Sequence, residues 1–180
     1  MVEELQAQQV STGEVQRVLQ ELLAEGVAVR DLVRILEAIG ERARHSRDPD
    51  TLVEAVRTSL GPAISSGFAT GGHLPAVTLE PLAEQALHAA LRVGEQGPFL
   101  ALGPDAVRTL VEQTTQAVDR VRNTGVEPVL VCGAAIRRSL RRLLVSAMAN
   151  PPAVISYTEI GSHLEVDAVG IVSADDLVTA

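Results

Sequence analysis

The amino-acid sequence predicts an α+β chain: an all-helical first part, then a small α/β subdomain with a sheet of four to five strands and crossover helices. Three observations carry this. Through the first 66 residues the apolar side chains repeat only at helical spacing. From residue 77 short apolar runs alternate with helical stretches of 12 residues or more. The stretch PVLVCGAAIRRSLRRLLVSAMANPPAVISYTE, from Pro128 to Glu159, reads as a complete strand–helix–strand unit. The boundaries follow as 1–66 for the helical part, 67–76 for a linker and 77–180 for the α/β part.

Taken in order, Ser11 and Glu14 have the spacing of a capping box, which starts a helix just before Val15. Val15, Val18, Leu19, Leu22 and Leu23 form its stripe, and Gly26 ends it. A second helix covers about Arg30–Ala43, with Leu32, Ile35, Leu36 and Ile39 inward; it lacks a good cap, although Asp31 suits the dipole of a first turn. Asp48-Pro49 starts a third helix, whose stripe is Leu52, Val53, Val56 and Leu60 and whose stop is Gly61-Pro62. Met1–Val10 reads as part of a further helix. The run GPAISSGFATGGHLP at 61–75 has linker composition, with Ile64 and Phe68 able to pack. Beyond it come a strand at Val77–Leu79, a helix at Pro81–Arg92, a strand at Phe99–Leu102 and a long helix from Gly103-Pro104-Asp105 to about Asn123, closed by Gly125. Then follow the Val129–Cys132 strand, the arginine-bearing helix, a strand at Ala153–Tyr157 and a last strand near Glu165–Val172.

Composition excludes several function classes. The chain has 180 residues, 46% of them hydrophobic but only 2% aromatic, so the core is aliphatic and platforms for stacking bases are nearly absent. A net charge of −8 argues against nucleic acid, where phosphate neutralisation dominates affinity. Every basic residue is arginine, which reads as genome composition. The single cysteine, Cys132, lies in an apolar strand and reads as a small buried hydrophobe rather than a nucleophile. No secretory signal and no apolar run near the length of a membrane helix is visible, so the chain as given is expected to be soluble.

No catalytic or metal constellation emerges. His45, His73, His88 and His163 are scattered, without the close spacing of a zinc site. Glu3-Glu4 and Asp175-Asp176 read as solvated terminal pairs. The Gly133 junction is of the kind that binds phosphate, but it carries one glycine and neither GxGxxG nor a GKS/GKT ending; a tight turn is the simpler reading. The expectation is therefore no enzyme, no cofactor and no metal.

The helix after Gly133 is two-faced. Ile136, Leu140, Leu143, Leu144 and Ala147 share an arc of about 100°, and Arg137, Arg138, Arg141 and Arg142 lie on the neighbouring arc. That arginine face has three readings: a solvated surface, intramolecular pairs with carboxylates of a neighbouring element, or a docking surface for an acidic partner or the next subunit. Arginine stems also cover apolar surface beneath them.

The tracts PVLVCGAAIRRSLRRLL and VISYTEI, together with GEVQRVLQELLAEGVAVRDLVRILEAI, RDPDTLVEAVRTSLG, PFLALGP and EVDAVGIVS, resemble the C-terminal cytoplasmic domain of the FlhA-type export-gate proteins of type III secretion, over nearly the whole chain and in the right order. Gly133-Ala134, Ser139, Thr158 and Gly161-Ser162 depart from the family pattern, which usually shows Ser-Pro, an aromatic, Asn and a proline-rich turn there. The resemblance implies the third, helical and fourth, α/β subdomains of a protein whose membrane part lies upstream, at the cytoplasmic face of the bacterial inner membrane. It implies ring self-association through the helical subdomain, and partners among export chaperones, secreted substrates and ATPase-complex proteins. It implies no catalysis. Partner-binding candidates are Arg137, Arg138, Arg141, Arg142, Tyr157 and Glu159. The Val169–Val172 ending and the Tyr157-Thr158-Glu159 exit favour a flagellar over an injectisome member. The alternative is a nucleotide- or phosphate-metabolite-binding α/β enzyme with its site near Gly133 and Gly103; a stand-alone adaptor sharing the fold is a third reading.

Overall fold

In a computed structural model the described residues are 10–94 and 97–173. The chain divides into two compact units after Ile64. The predicted helix within Met1–Val10 lies outside the described residues, apart from Val10.

The first unit is built by α1 (Thr12–Ala24), α2 (Leu32–Ala43) and most of α3 (Pro49–Ser66). Ser11 and Glu14 close the capping box: the Glu14 N–H donates to Ser11 Oγ at 3.2 Å and the Ser11 N–H to Glu14 Oε2 at 2.7 Å. Those bonds, the backbone one foremost, hold the Glu14 carboxyl below its ordinary range. At the other end Gly26, at φ 73°, turns the chain so that Val27 donates to the Leu22 carbonyl at 2.9 Å and Gly26 to that of Leu23 at 3.0 Å, the pattern of a Schellman stop. The start of α2 does have a side-chain cap, contrary to expectation: Asp31 is the N-cap itself, its Oδ1 accepting from the Arg34 N–H at 3.1 Å. The stripes predicted for the three helices meet in one core of Val18, Leu22, Ile35, Ile39, Leu52, Val53, Val56 and Leu60. Arg57 and Glu25 form a buried ion pair at 2.9 Å in this unit. Gly61-Pro62 does not stop α3, which continues to Ser66 with Pro62 inside it. Proline removes one hydrogen bond from the ladder, and burial of Leu60 and Ser65 in this stretch offsets that loss.

The second unit contains β1 (His73–Leu79), α4 (Pro81–Ala90), β2 (Leu91–Gly94), β3 (Gly97–Leu100), α5 (Pro104–Arg122), β4 (Val129–Cys132), α6 (Ala134–Ala147), β5 (Val154–Ser156), a 3₁₀ turn at Tyr157–Glu159 and β6 (Glu165–Val172). The sheet has four parallel strands in the order β5-β4-β1-β6. Parallel strands are buried on both faces, so β4 is a continuous apolar run, and all four of its residues are buried. Val77 pairs with Leu130 on one side and Gly170 on the other. A register shift between Ala76 and Val77 makes Val169 the extra residue of β6 and sets Gly170 under α5, where an added Cβ would lie 3.2 Å from Val77 and 3.5 Å from the Ala117 carbonyl. Val77, Leu87, Leu110, Val118, Leu130, Ile136, Leu140 and Leu144 make the core.

Two predicted elements are corrected. The helix expected to reach Arg92 ends at Ala90, and Leu91–Gly94 is a strand. The strand expected at Phe99–Leu102 is Gly97–Leu100, and it pairs only with β2, antiparallel, as a hairpin separate from the sheet. A run of four residues is too short for periodicity to distinguish a helix end from a strand.

Candidate docking surface

Helix α6 does not present four arginines outward. Arg137 is 0% exposed and Arg138 5%, whereas Arg141 is half-buried and Arg142 exposed. The wheel explains Arg137: it lies about 20° from Leu144, at the rim of the buried stripe. There its Nε stands 3.8 Å from Oε1 of Glu159, itself 1% exposed, and its Nη1 lies 3.4 Å from the Val154 carbonyl. Glu159 Oε2 accepts from the Ser156 N–H at 3.4 Å, the reciprocal half of a capping box on the 3₁₀ turn. So Arg137 and Glu159 join α6 to the exit of β5, the intramolecular reading of the arginine face. Neither of them, nor Arg138, stands on a surface open to a partner. On the opposite flank the unforeseen hairpin covers α6, with Arg142 Nη1 3.5 Å from the Pro98 carbonyl. Ala147, placed inward by the wheel, is exposed.

Tyr157 remains accessible at 48% exposure. Its phenol stands beside Leu79, Pro81, Gln85 and His88 at a cavity of about 650 Å³. Desolvation pushes its pKa up, and the charge of Glu84, the influence of Cys132 and a hydrogen bond with Glu84 add to that. Leu82, also exposed, lies on the same helix as Gln85 and His88.

Glu84 was not foreseen, and it bears on the phosphate reading. Its Oε1 accepts from the Gly133 N–H at 2.7 Å, at the N-cap of α6. An added Cβ on Gly133 would fall 2.7 Å from the same oxygen. The glycine that departs from the family pattern is thus the residue that admits a carboxylate brought from 49 positions earlier. A phosphate at this helix end would meet that negative charge. Gly103, the other junction considered, follows the hairpin rather than a strand of the parallel sheet.

Cys132 is fully buried. Among the described residues one group has metal-ligand character: His73, Glu165 and Asp167, whose donor atoms lie within 4.8 Å of one another. The parallel register of β1 and β6 brings them together, His73 opposite Glu165. All three are exposed, and His73 Nδ1 lies 3.3 Å from Asp167 Oδ2, the geometry of a surface ion pair.

Known proteins agree with this architecture. The model of the FHIPEP family matches residues 1–165. The flagellar biosynthesis protein FlhA of Bacillus subtilis is 30% identical over 173 residues, 96% of this chain and 25% of its own length. The structure of the Shigella flexneri MxiA protein superposes with a TM-score of 0.82 at 29% identity, over 94% of this chain and 55% of that one. The Chlamydia pneumoniae CdsV and CdsO protein complex gives 0.82 at 27% identity, over 95% and 50%. A nonameric EPEC SctV-C shares the fold, with a TM-score of 0.80 at 24% identity, over 96% and 50%. The chain thus spans about a quarter of the curated FlhA length and about half of the solved chains. With a helical unit, an α/β unit and a family model running through both, the chain belongs to the FHIPEP family, which includes FlhA of the flagellum.

Proposed function

We propose that the chain is the cytoplasmic part of a type III protein export gate, at the cytoplasmic face of the bacterial inner membrane. It works without catalysis, as a docking and ring-assembly module for export chaperones, secreted substrates and ATPase-complex proteins. The observation that carries this reading is a division of labour among side chains. The charged groups with chemical potential at α6 are internally engaged, Arg137 with Glu159 and Glu84 with Gly133. Large apolar groups stand exposed instead: Leu23, Leu32 and Val33 on the helical unit, Leu82, Phe99 and Tyr157 on the α/β unit. The first set offers the apolar area a ring contact needs, and the second offers a docking face. The CdsV–CdsO complex supports a second protein as partner, and the SctV-C nonamer supports a ring. Arg141, Arg142 and Tyr157 are the docking residues of this reading. The Val169–Val172 ending and the Tyr157–Glu159 exit support a flagellar machine.

The double change Arg141→Glu with Arg142→Glu tests it. Both side chains reach the surface, so the melting curve stays put while co-purification of export chaperones and ATPase-complex proteins falls. Unchanged co-purification would count against the docking role. Millimolar ATP should leave the melting temperature unchanged, whereas a rise would revive the nucleotide-binding alternative.

A further inference from the structure

We infer that His73, Glu165 and Asp167 form a three-ligand site for one divalent cation of the zinc class, which clips β6 to β1. The site lies apart from the docking residues and stands whether or not the export reading holds. Its members are distant in sequence and meet through strand register. β1 and β6 run parallel, with His73 opposite Glu165 and Pro75 opposite Asp167. Asp167 is two residues along from Glu165, so all three side chains leave the same face of the sheet. Backbone bonds hold the site's frame. Thr70 and His73 exchange bonds, Thr70 donating at 2.9 Å and His73 at 3.0 Å, around Gly71 and Gly72 at φ 62° and 88°. The Glu165 N–H donates to the Gly72 carbonyl at 2.9 Å. The ligand atoms are thus carried by paired strands, which position a site better than loops do.

Distance and charge select the occupant. An imidazolium closed on a carboxylate donates at about 2.7–2.9 Å. Here His73 Nδ1 stands 3.3 Å from Asp167 Oδ2, 3.4 Å from its Oδ1 and 3.9 Å from Glu165 Oε2, so it has closed on neither carboxylate. Ligand atoms at about 2.0–2.2 Å from a tetrahedral zinc ion stand about 3.3–3.6 Å from one another. The His73–Asp167 spacing is already of that size, and a small rotation of the Glu165 side chain supplies the third edge. An exposed ion pair is worth little by itself, so an entering cation has little to displace. Two carboxylates facing one imidazole leave an excess of negative charge. A proton on the ring halves it, whereas a divalent cation cancels it. The imidazole sets the class of metal. One nitrogen with two carboxylate oxygens suits zinc, cobalt(II) or nickel, whereas calcium and magnesium seek all-oxygen shells. Three protein ligands leave the fourth position to water.

Calorimetric titration of the purified 180-residue chain with zinc chloride tests the site, with proton NMR of the histidine rings to locate the ion. One zinc ion should bind per chain, and zinc should raise the melting temperature. Of the four histidine rings, that of His73 should shift while those of His45, His88 and His163 stay. His73→Ala, Glu165→Gln and Asp167→Asn should each weaken zinc by about tenfold or more, since loss of an outer-shell partner alone costs about 10–100-fold. The melting temperatures of these variants without metal should match that of the parent, because the pairs they break are exposed. Millimolar magnesium should not displace zinc. Three results would overturn the site: no zinc uptake at millimolar concentration, an affinity indifferent to His73→Ala, or magnesium competing on equal terms. The second would put the ion elsewhere on the chain, and the third would reduce it to diffuse attraction by an acidic surface.

Discussion

The contact between Glu84 and Gly133 shows how much one atom decides. Gly133 begins α6 without a side-chain cap of its own, and Glu84 instead accepts from the Gly133 N–H, the bond that the N3 carboxylate makes in a capping box. Glu84→Ala should therefore cost about 1 kcal/mol or more, the range for a lost charge-assisted cap. Gly133→Ser should also destabilise, because its Cβ would collide with the Glu84 oxygen. In the double variant the serine caps the helix itself, since Gly133 already has the extended φ of −64° and ψ of 143° of an N-cap. Urea titrations of the four proteins should show the double variant more stable than the sum of the singles allows. Strict additivity would mean that the contact is incidental. Tyr157 offers a second reading at this scale, because it is the only tyrosine and the chain has no tryptophan. Its ultraviolet titration should lie above the ordinary tyrosine value of about 10, chiefly through desolvation and then through Glu84. The fold favours the neutral phenol. Its contribution to stability is thus fully present below the ordinary value and is lost as pH rises through the higher folded value. Glu84→Gln should lower the midpoint partway, as desolvation remains.

At the scale of elements, the helices with long stripes and punctuated ends were legible. Ser11–Glu14, Asp48-Pro49 and Gly26 mark ends that the structure has. Short elements were not. Leu91–Gly94 follows an alanine-rich helix without a break in composition, and its pairing with Gly97–Leu100 is visible only in three dimensions. Pro62 misled in the other direction, because a local breaker yields to packing along α3. Pro62→Ala should accordingly stabilise the chain by roughly 1 kcal/mol: the restored ladder bond is worth more than the unfolded-state entropy that proline removes. A parallel Ser11→Ala change should destabilise by about 1 kcal/mol through loss of the capping box. Thermal or urea unfolding checks both signs, and a destabilising Pro62→Ala would show that the proline bend is needed for packing.

At the scale of the whole molecule, fold class was readable from pattern, but the candidate surface was only half readable. A helical wheel distinguishes the sheet side of α6 from everything else. It cannot show that β5's exit buries Arg137 against Glu159 or that a hairpin lies along the other flank. Arg141, Arg142 and Tyr157 survive as accessible candidates, while Arg137, Arg138 and Glu159 belong to the interior. The distinction gives the two sets opposite signatures. Breaking the buried Arg137–Glu159 pair by Glu159→Ala is expected to unfold or gravely weaken the α/β unit, at about 3–5 kcal/mol. Changes at Arg141 and Arg142 should leave the fold intact and act on partners. The most direct measurement is export by cells whose gate protein carries Arg141→Glu and Arg142→Glu together. The expected result is gate protein at normal abundance, partners no longer co-purifying, and secretion sharply reduced. Normal secretion with partners still bound would contradict it.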